Sequence, residues 1–291
     1  MDLRDYQHQA LKTDQMAGRE DTLIVPLLGL AGEAGTLISE YKKFLRDGEA
    51  HRLHKDRVGE ELGDLLWYLA NVASKYGLDL GDIADANLVK VSGRWAARSR
   101  DPGGAPRFDT AYPENERLPR RFEVEVTETC EAGALTVRMF VDGTQCGDGL
   151  TDNAYAEDGY RFHDAFHLAY VAVLGWSPII RTLLHCKRKS DPRVDEVEDG
   201  GRAIILDEAV AAIAFDYAKV HAYLEGVSVL DEWIIKAMMH ITSHLEVAQC
   251  SAGEWEIAVF RGFRLWRELM DHRQGRIIVN MDERSLTFFP A

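Results

Sequence analysis

Cysteine is scarce in this chain. Cys130, Cys146, Cys186 and Cys250 are the only four in 291 residues, and no two form a CxxC pair. Such scatter excludes a disulfide framework and a zinc knuckle, and it implies reduced thiols in a cytoplasmic setting. Positive charge is also in short supply. Lys and Arg number 34 against 48 Asp and Glu, for a net charge of −14. A general grip on nucleic acid needs a basic surface that displaces phosphate counterions, so no stable nucleic-acid binding is expected. A small polyanionic substrate stays open, because divalent cations can sit between two sets of negative charge. Long apolar runs are missing, and the opening MDLRDYQHQALK has no apolar signal core. No membrane partner is expected, and the reading is a cytoplasmic protein. With 46% hydrophobic and 28% charged residues, the composition is that of a globular protein able to bury one large core or two ordinary ones.

Proline is sparse as well, but four of the eight fall in SRDPGGAPRFDTAYPENERLP. This stretch, residues 99–119, has no apolar period and reads as a linker between domains at 1–98 and 120–291. The first domain carries helical spacing almost throughout. Leu27, Leu30, Ala31, Ala34, Leu37, Ile38, Tyr41 and Phe44 mark a helix from Asp21 to about Arg46, which Asp47-Gly48 ends. A second runs from about Lys55 to Lys75, and a third follows the capping-type Asp79 to about Ala97. Beyond the linker, Phe122–Val126 and Leu135–Val141 alternate around Glu131-Ala-Gly133, a hairpin signature. Helical segments follow at roughly 158–174, 203–224, 229–247 and 254–272. Ile277–Asn280 and Ser285–Phe289 read as a second hairpin. The fold expected is mainly α: an N-terminal helical bundle and a C-terminal α-helical domain with a small antiparallel sheet.

Carboxylates carry the chemistry of the first domain. Residues three apart on a helix share a face, so Glu61 and Asp64 can aim at one ion. Glu33 and Glu40 lie two turns apart on one face with Thr36 between them. Antiparallel packing of the two helices would gather all four, with Glu60 nearby. Like charges in a partly buried cluster repel and take up protons unless hard divalent cations relieve them. Such ions bridge phosphate oxygens and activate water. Single ExxE or ExxD spacings are weak signals, common on solvated helix faces. Gly35 and Gly63 strengthen this one. Each costs about 1 kcal/mol in a helix interior and makes sense where helices or ligands approach closely.

Three segments in order, GEAGTLISEYKK, EELGDLLWYLANVASKYG and ANLVKVSGRW, resemble the MazG-type all-α nucleoside triphosphate pyrophosphohydrolases over Leu27 to Trp95. The resemblance implies a helical bundle binding Mg²⁺, with Mn²⁺ as a substitute. It implies cleavage of a nucleoside triphosphate between the α and β phosphates. Glu33, Glu61 and Asp64 match the family's catalytic and metal-binding acids, and Glu40 is added as a metal ligand. Thr36 replaces the second acid of ExxE, which leaves the number of metal ions open. Asn87, Lys90 and Arg94 match a phosphate-contacting segment. Lys43, with Lys42 beside it, is placed with the phosphates, and Trp67 or Tyr68 facing the base. A homodimer or larger assembly is also implied.

The second domain holds Phe162-His-Asp-Ala-Phe-His-Leu168, with His163 and His167 at i and i+4. His163, Asp164, His167, Asp207 and Glu208 make a candidate second site built between helices. His240 and His244 repeat the spacing near Glu246. Core or interface histidines remain the plainer explanation for both pairs. An HD-type phosphohydrolase would need an earlier histidine that the domain lacks. Lys187-Arg-Lys-Ser and Asp195-Glu-Val-Glu-Asp-Gly-Gly read as solvated loops. The block from Tyr160 to Tyr217 resembles C-terminal domains that accompany some MazG-type proteins. The expected function is Mg²⁺-dependent hydrolysis of an NTP or dNTP to monophosphate and pyrophosphate. Two alternatives stand beside it: a non-catalytic nucleotide sensor and a hydrolase using the C-terminal His/Asp cluster.

Overall fold

A computed structural model describes residues 1–15, 23–99, 104–131 and 133–291, without the side chains of 93–99 and 131. Asp21, where the first long helix was expected to begin, lies outside the described residues. So do residues 100–103 of the proline-rich stretch. The chain forms two compact units, Met1–Ser92 and Gly93–Ala291. The fold is mainly α with one small antiparallel sheet.

The first unit is built from α1 (Leu3–Leu11), α2 (Ile24–Asp47), α3 (His54–Lys75) and the part of α4 (Leu80–Ser99) up to Ser92. Gly48, at φ +57, ends α2, and Gly77, at φ +66, follows α3. Asp79 starts α4 by accepting the Asp82 N–H at 2.9 Å, which satisfies one of the first-turn donors. Gln7 fastens α1 to the α3–α4 corner. Its amide donates to Ser74 Oγ and Leu78 O, and its Oε1 accepts from Leu80 N. The packed centre is small: Ala10, Ala70 and Leu80, flanked by Leu3, Tyr6, Leu66 and Trp67.

The second unit is organised around α5 (Asp164–Leu174), whose residues from Ala165 to Leu174 are all buried. A helix apolar on every side must be covered on every side. One cover is a five-stranded sheet in the order β3-β2-β1-β4-β5: β1 (Arg121–Glu131), β2 (Ala134–Val141), β3 (Thr144–Leu150), β4 (Gly275–Asn280) and β5 (Ser285–Pro290). The two expected hairpins share this sheet through antiparallel β1–β4 pairing, Val124 opposite Ile277. Val124, Val126, Val137, Met139, Ile277 and Val279 alternate onto its buried face. The β3 strand was not legible in TQCGDGL, which has no alternation. It forms by pairing with β2 through a register shift, and Gly147 sits in it at φ +74. The other covers are α6 (Pro178–Leu183), α7 (Pro192–Val197), α8 (Gly201–Lys219), α9 (Glu232–Ile241) and α10 (Ala252–His272). At the α5–α10 crossing, a Cβ on Gly262 would meet the Phe166 ring at 2.9 Å, so only glycine permits that approach.

Element ends differ from the expected ones for local reasons. The segment 158–163 is not α-helical. Asp152 accepts the N–H groups of Asp158, Gly159 and Arg161, and α5 starts only at Asp164. The helix expected over 203–224 ends at Lys219, and Ala222, Tyr223 and Leu224 follow at positive φ. The one expected over 229–247 ends at Ile241, where Thr242 Oγ1 donates back to Met238 O at 2.9 Å. The next helix starts sharply because Ser251 and Glu254 form a capping box.

Residues 104–119, read as linker, pack into the second unit. Ala105 and Leu118 are buried, and a Cβ on Gly175, the left-handed residue ending α5, would meet Pro106 O at 1.9 Å. Asp109 is fully buried. It accepts from Arg120 at 2.5 Å, Leu118 N at 2.8 Å and Arg181 at 2.8 Å. The two loops read as solvated are also tied inward. Arg188 of the basic loop pairs with Asp199 of the acidic loop at 2.7 Å and with Glu246 at 2.7 Å, and Asp199 and Arg188 are both buried. Transfer of such charges from water is tolerable only with this density of partners.

Burial pushes the Asp109 carboxyl up, but the Arg120 hydrogen bond, the Leu118 N–H and the Arg181 guanidinium outweigh it and hold it below the usual range. With the folded value below the unfolded one, its contribution is present above the ordinary carboxylate range and fades as pH falls through the folded value. Asp109→Asn is expected to cost about 3–5 kcal/mol at neutral pH and to flatten the acid limb of stability. Denaturant unfolding at neutral and acid pH checks this, and equal stability of variant and wild type would refute it.

Candidate functional site

The helices α2 and α3 are joined by the short turn at residues 48–53 and pack as a hairpin. Their facing sides bring Glu33, Glu61 and Asp64 together, with one carboxylate oxygen of each within 4.8 Å of the others. Glu33 and Glu61 are half-buried and Asp64 is exposed. The Glu61 carboxyl is pushed up, first by lost hydration and then by its hydrogen bond to Glu33 and the charges of Glu33, Asp64 and Glu40. Clustered carboxylates of this kind compete for a shared proton. An all-oxygen donor set under mutual repulsion fits a hard divalent cation such as Mg²⁺.

Glu40 does not join the cluster. Its carboxylate, 5% exposed, accepts from Lys43 Nζ and from His51 Nε2 at 3.0 Å. Those two partners hold its carboxyl below the usual range. The sequence placed Glu40 among the metal ligands and Lys43 among the phosphate contacts, yet the two serve each other. His51, which lies in the turn, was not anticipated, because helix periodicity gives no information on what a turn folds back onto. Thr36 donates to Gly32 O within its own helix at 3.2 Å. Glu60 pairs with Arg57 at 2.8 Å and stands apart from the cluster.

Gly35 and Gly63 were expected where helices or ligands approach closely, and the helix contact lies elsewhere. A Cβ on Gly35 or Gly63 meets nothing within 4 Å, whereas one on Gly29 would meet the Tyr68 ring at 2.3 Å. The helices touch at Gly29 and Tyr68, and Gly35 and Gly63 border open space. Trp67 also departs from its expected role. It packs beside the Ala10, Ala70 and Leu80 centre, and its indole N–H donates to Thr13 Oγ1 at 2.8 Å, which ties α3 to the end of α1. On α4, Asn87 and Lys90 are exposed. The Arg94 side chain lies outside the described residues.

A second convergence lies in the other unit, between the start of α5 and α8. His163, His167 and Glu208 each offer a donor atom within 4.8 Å of the others. His167 is fully buried between Asp207, whose Oδ1 is 2.8 Å from Nδ1, and Glu208, whose Oε2 is 3.2 Å from Nε2. Burial alone would lower its pKa, but Asp207 and then Glu208 outweigh burial and push it up to about 10. Asp164 belongs to neither donor cluster among the described residues. His240 and His244 are exposed, and because α9 stops at Ile241 they do not share a helix.

A helical hairpin presenting three carboxylates, followed by an α+β unit, defines a chain of two parts. Residues 24–98 match the MazG nucleotide pyrophosphohydrolase domain, and residues 104–291 match the MazG C-terminal domain. The chain belongs to the MazG family, as the resemblance implied. It is also similar to the Gene 37 protein of Mycobacterium phage L5, 38% identical over 69 residues. That alignment covers 23% of this chain and 60% of the phage protein. No solved structure matches the chain.

If Trp67 is a packing residue, Trp67→Phe leaves the Thr13 hydroxyl without its donor and lowers the unfolding free energy by about 1 kcal/mol. Urea unfolding measures this, and unchanged stability would contradict the assignment.

Proposed function

We propose that the chain is a Mg²⁺-dependent nucleoside triphosphate pyrophosphohydrolase, with Mn²⁺ able to substitute, acting on an NTP or dNTP. The convergence of Glu33, Glu61 and Asp64 in the α2–α3 hairpin carries the reading, and the MazG nucleotide pyrophosphohydrolase match over the same helices supports it. Glu33, Glu61 and Asp64 would hold the divalent ion. When bound, that ion supplies charge neutralisation of phosphate oxygens and a water of lowered pKa. One of the three carboxylates orients the attacking water and accepts its proton as general base. The anhydride between the α and β phosphates breaks, and monophosphate and pyrophosphate leave. Exposed Lys90, with Arg94 of the same helix, neutralises phosphate charge, and Asn87 offers an amide N–H to a phosphate oxygen. Of the two aromatics expected to face the base, Trp67 is engaged with Thr13 and the Tyr68 ring packs against Gly29.

A homodimer or larger assembly belongs to the same proposal. In the first unit Leu28, Ile38, Leu88 and Val89 are each more than 60% exposed, and its packed centre holds only Ala10, Ala70 and Leu80. Apolar faces of that extent mark an interface, and a second copy of the hairpin covers them. A cytoplasmic setting fits the four free cysteines, and among the described residues no helix is long and apolar enough to cross a membrane. A non-catalytic nucleotide sensor is the second reading. Thr36 and the engagement of Glu40 by Lys43 and His51 favour it, since they leave the ion only three carboxylates.

Pyrophosphate release from a panel of ribo- and deoxyribonucleoside triphosphates separates the two. Replacing Glu61 and Asp64 together by alanine is expected to cut Mg²⁺-dependent release at least about a hundredfold, since even outer-shell partners of metal ligands cost 10–100-fold. Silence of the wild type with both Mg²⁺ and Mn²⁺ would sink the hydrolase and leave the sensor. The assembly is read independently by light scattering. Wild type is expected at twice the chain mass or more, and Ile38→Glu with Leu88→Glu shifted toward one chain.

A further inference from the structure

The geometry between α5 and α8 points to a second metal centre, and we propose that His163, His167 and Glu208 bind one divalent transition-metal ion of the zinc, cobalt or iron(II) class. The assignment is independent of the α2–α3 carboxylates and of their proposed reaction.

The argument starts from the protons. His163 Nδ1 lies 2.8 Å from the Tyr160 carbonyl oxygen, which only accepts, so Nδ1 donates. His167 Nδ1 lies 2.8 Å from Asp207 Oδ1. The other Asp207 oxygen accepts from Ser177 Oγ at 2.6 Å and Ile179 N at 3.2 Å, and the whole side chain is buried. Asp207 is thus held as an acceptor, and His167 Nδ1 also donates. With Nδ1 turned to an acceptor, each imidazole that carries a single proton presents its Nε2 lone pair on the other side.

Both lone pairs face one carboxylate. His163 Nε2 is 3.4 Å from Glu208 Oε1, and His167 Nε2 is 3.2 Å from Glu208 Oε2. A carboxylate offers no proton to either. Two ring nitrogens and two carboxylate oxygens this close call for positive charge among them, either protons on the imidazoles or one cation, and three donor atoms within 4.8 Å of one another leave a place for a single ion. Two imidazole nitrogens and a carboxylate oxygen are the donor set of zinc hydrolase centres and of iron(II) sites, whereas Mg²⁺ takes oxygen. Asp207 and the Tyr160 carbonyl are the outer-shell acceptors that fix ring tautomer and orientation in such centres.

The backbone supports the arrangement. His163 stands just before α5, and His167 is one turn in, on the same face. Asp207 and Glu208 are consecutive on α8, so one turns inward to His167 Nδ1 and the other sideways to both Nε2 atoms. Ring stacking of Tyr160 on His163, with centroids 4.5 Å apart, fixes that imidazole. The Glu208 side chain is 43% exposed, and the Tyr160 hydroxyl donates to its Oε1 at 3.0 Å. The centre therefore opens to solvent on the Glu208 side. A water or an anionic oxygen ligand completes the coordination there, as in open rather than closed zinc sites.

Titration of the chelator-treated full chain with Co²⁺, followed by visible absorption and bound-metal analysis, tests the proposal. Wild type is expected to bind one equivalent with the absorption of a nitrogen-containing, low-coordinate site. The Glu61→Ala, Asp64→Ala double variant is expected to bind it equally well. His163→Ala and the isosteric Glu208→Gln, each confirmed folded by circular dichroism, are expected to lose at least about a hundredfold in Co²⁺ affinity. Co²⁺ binding that survives in both folded variants overturns the assignment. So does a wild type that binds no Co²⁺, in which case nitrogen NMR showing His163 and His167 doubly protonated would identify an ion cluster held by protons.

Discussion

The second unit depends on α5, a helix with no exposed face. Every residue from Ala165 to Leu174 is buried, so sheet, helices and the incoming chain are all recruited to exclude water from it. Burial of a Leu, Val or Phe side chain is worth about 1.5–3 kcal/mol, and α5 supplies several. That demand explains the otherwise costly features around it. Gly262 lets α10 come within contact of Phe166, and Gly175 lets the Pro106 carbonyl approach the helix end. The segment 104–119 brings Asp109 into the interior, where Arg181 and Arg120 satisfy it. Polar residues sit at the ends of α5, and the two histidines are at its beginning.

The first unit is governed by the opposite condition. It buries little, exposes large apolar side chains on α2, α3 and α4, and crowds like charges on one side of a hairpin. Hairpin geometry and Glu61 desolvation together make a surface that would gain stability from outside itself, through the proposed cation and the proposed apolar cover. The Glu40, Lys43 and His51 group differs in kind. It is already neutralised from within, so it braces the turn and contributes charge near Glu61 while offering little to a ligand.

Much of this was legible because it is local. Helical period located α2, α3 and α4 and put Glu61 beside Asp64, and alternation found both hairpins. The i, i+4 histidines were visible too. What the pattern could not carry was partnership across distance. Nothing in TQCGDGL marks a strand until β2 lies beside it. Arg188 looks like a solvated loop cation until Asp199 and Glu246 close on it. Asp109 looks like linker polarity until Arg181, far along the chain, arrives. Glu40 shares a helical face with Glu33, but its fate is decided by a histidine in the turn. Trp67 was read for its ring when its N–H, bonded to Thr13, settles its place. Helix pattern likewise could not say which of Asp207 and Glu208 faces the core.

The two donor clusters differ in the property that sorts metal ions. Glu33, Glu61 and Asp64 offer only hard carboxylate oxygen, half-buried to exposed, on a surface where an ion keeps much of its water. Mg²⁺ dehydrates reluctantly and suits such a surface. His163, His167 and Glu208 offer two imidazole nitrogens and one oxygen with the rings oriented by hydrogen-bond acceptors, which favours ions that accept nitrogen and tolerate fewer waters. Hard and borderline ions present together would partition between the clusters by ligand chemistry. The nitrogen-containing set excludes Mg²⁺ by its donor atoms, whereas occupancy of the carboxylate set depends on which divalent ion is available.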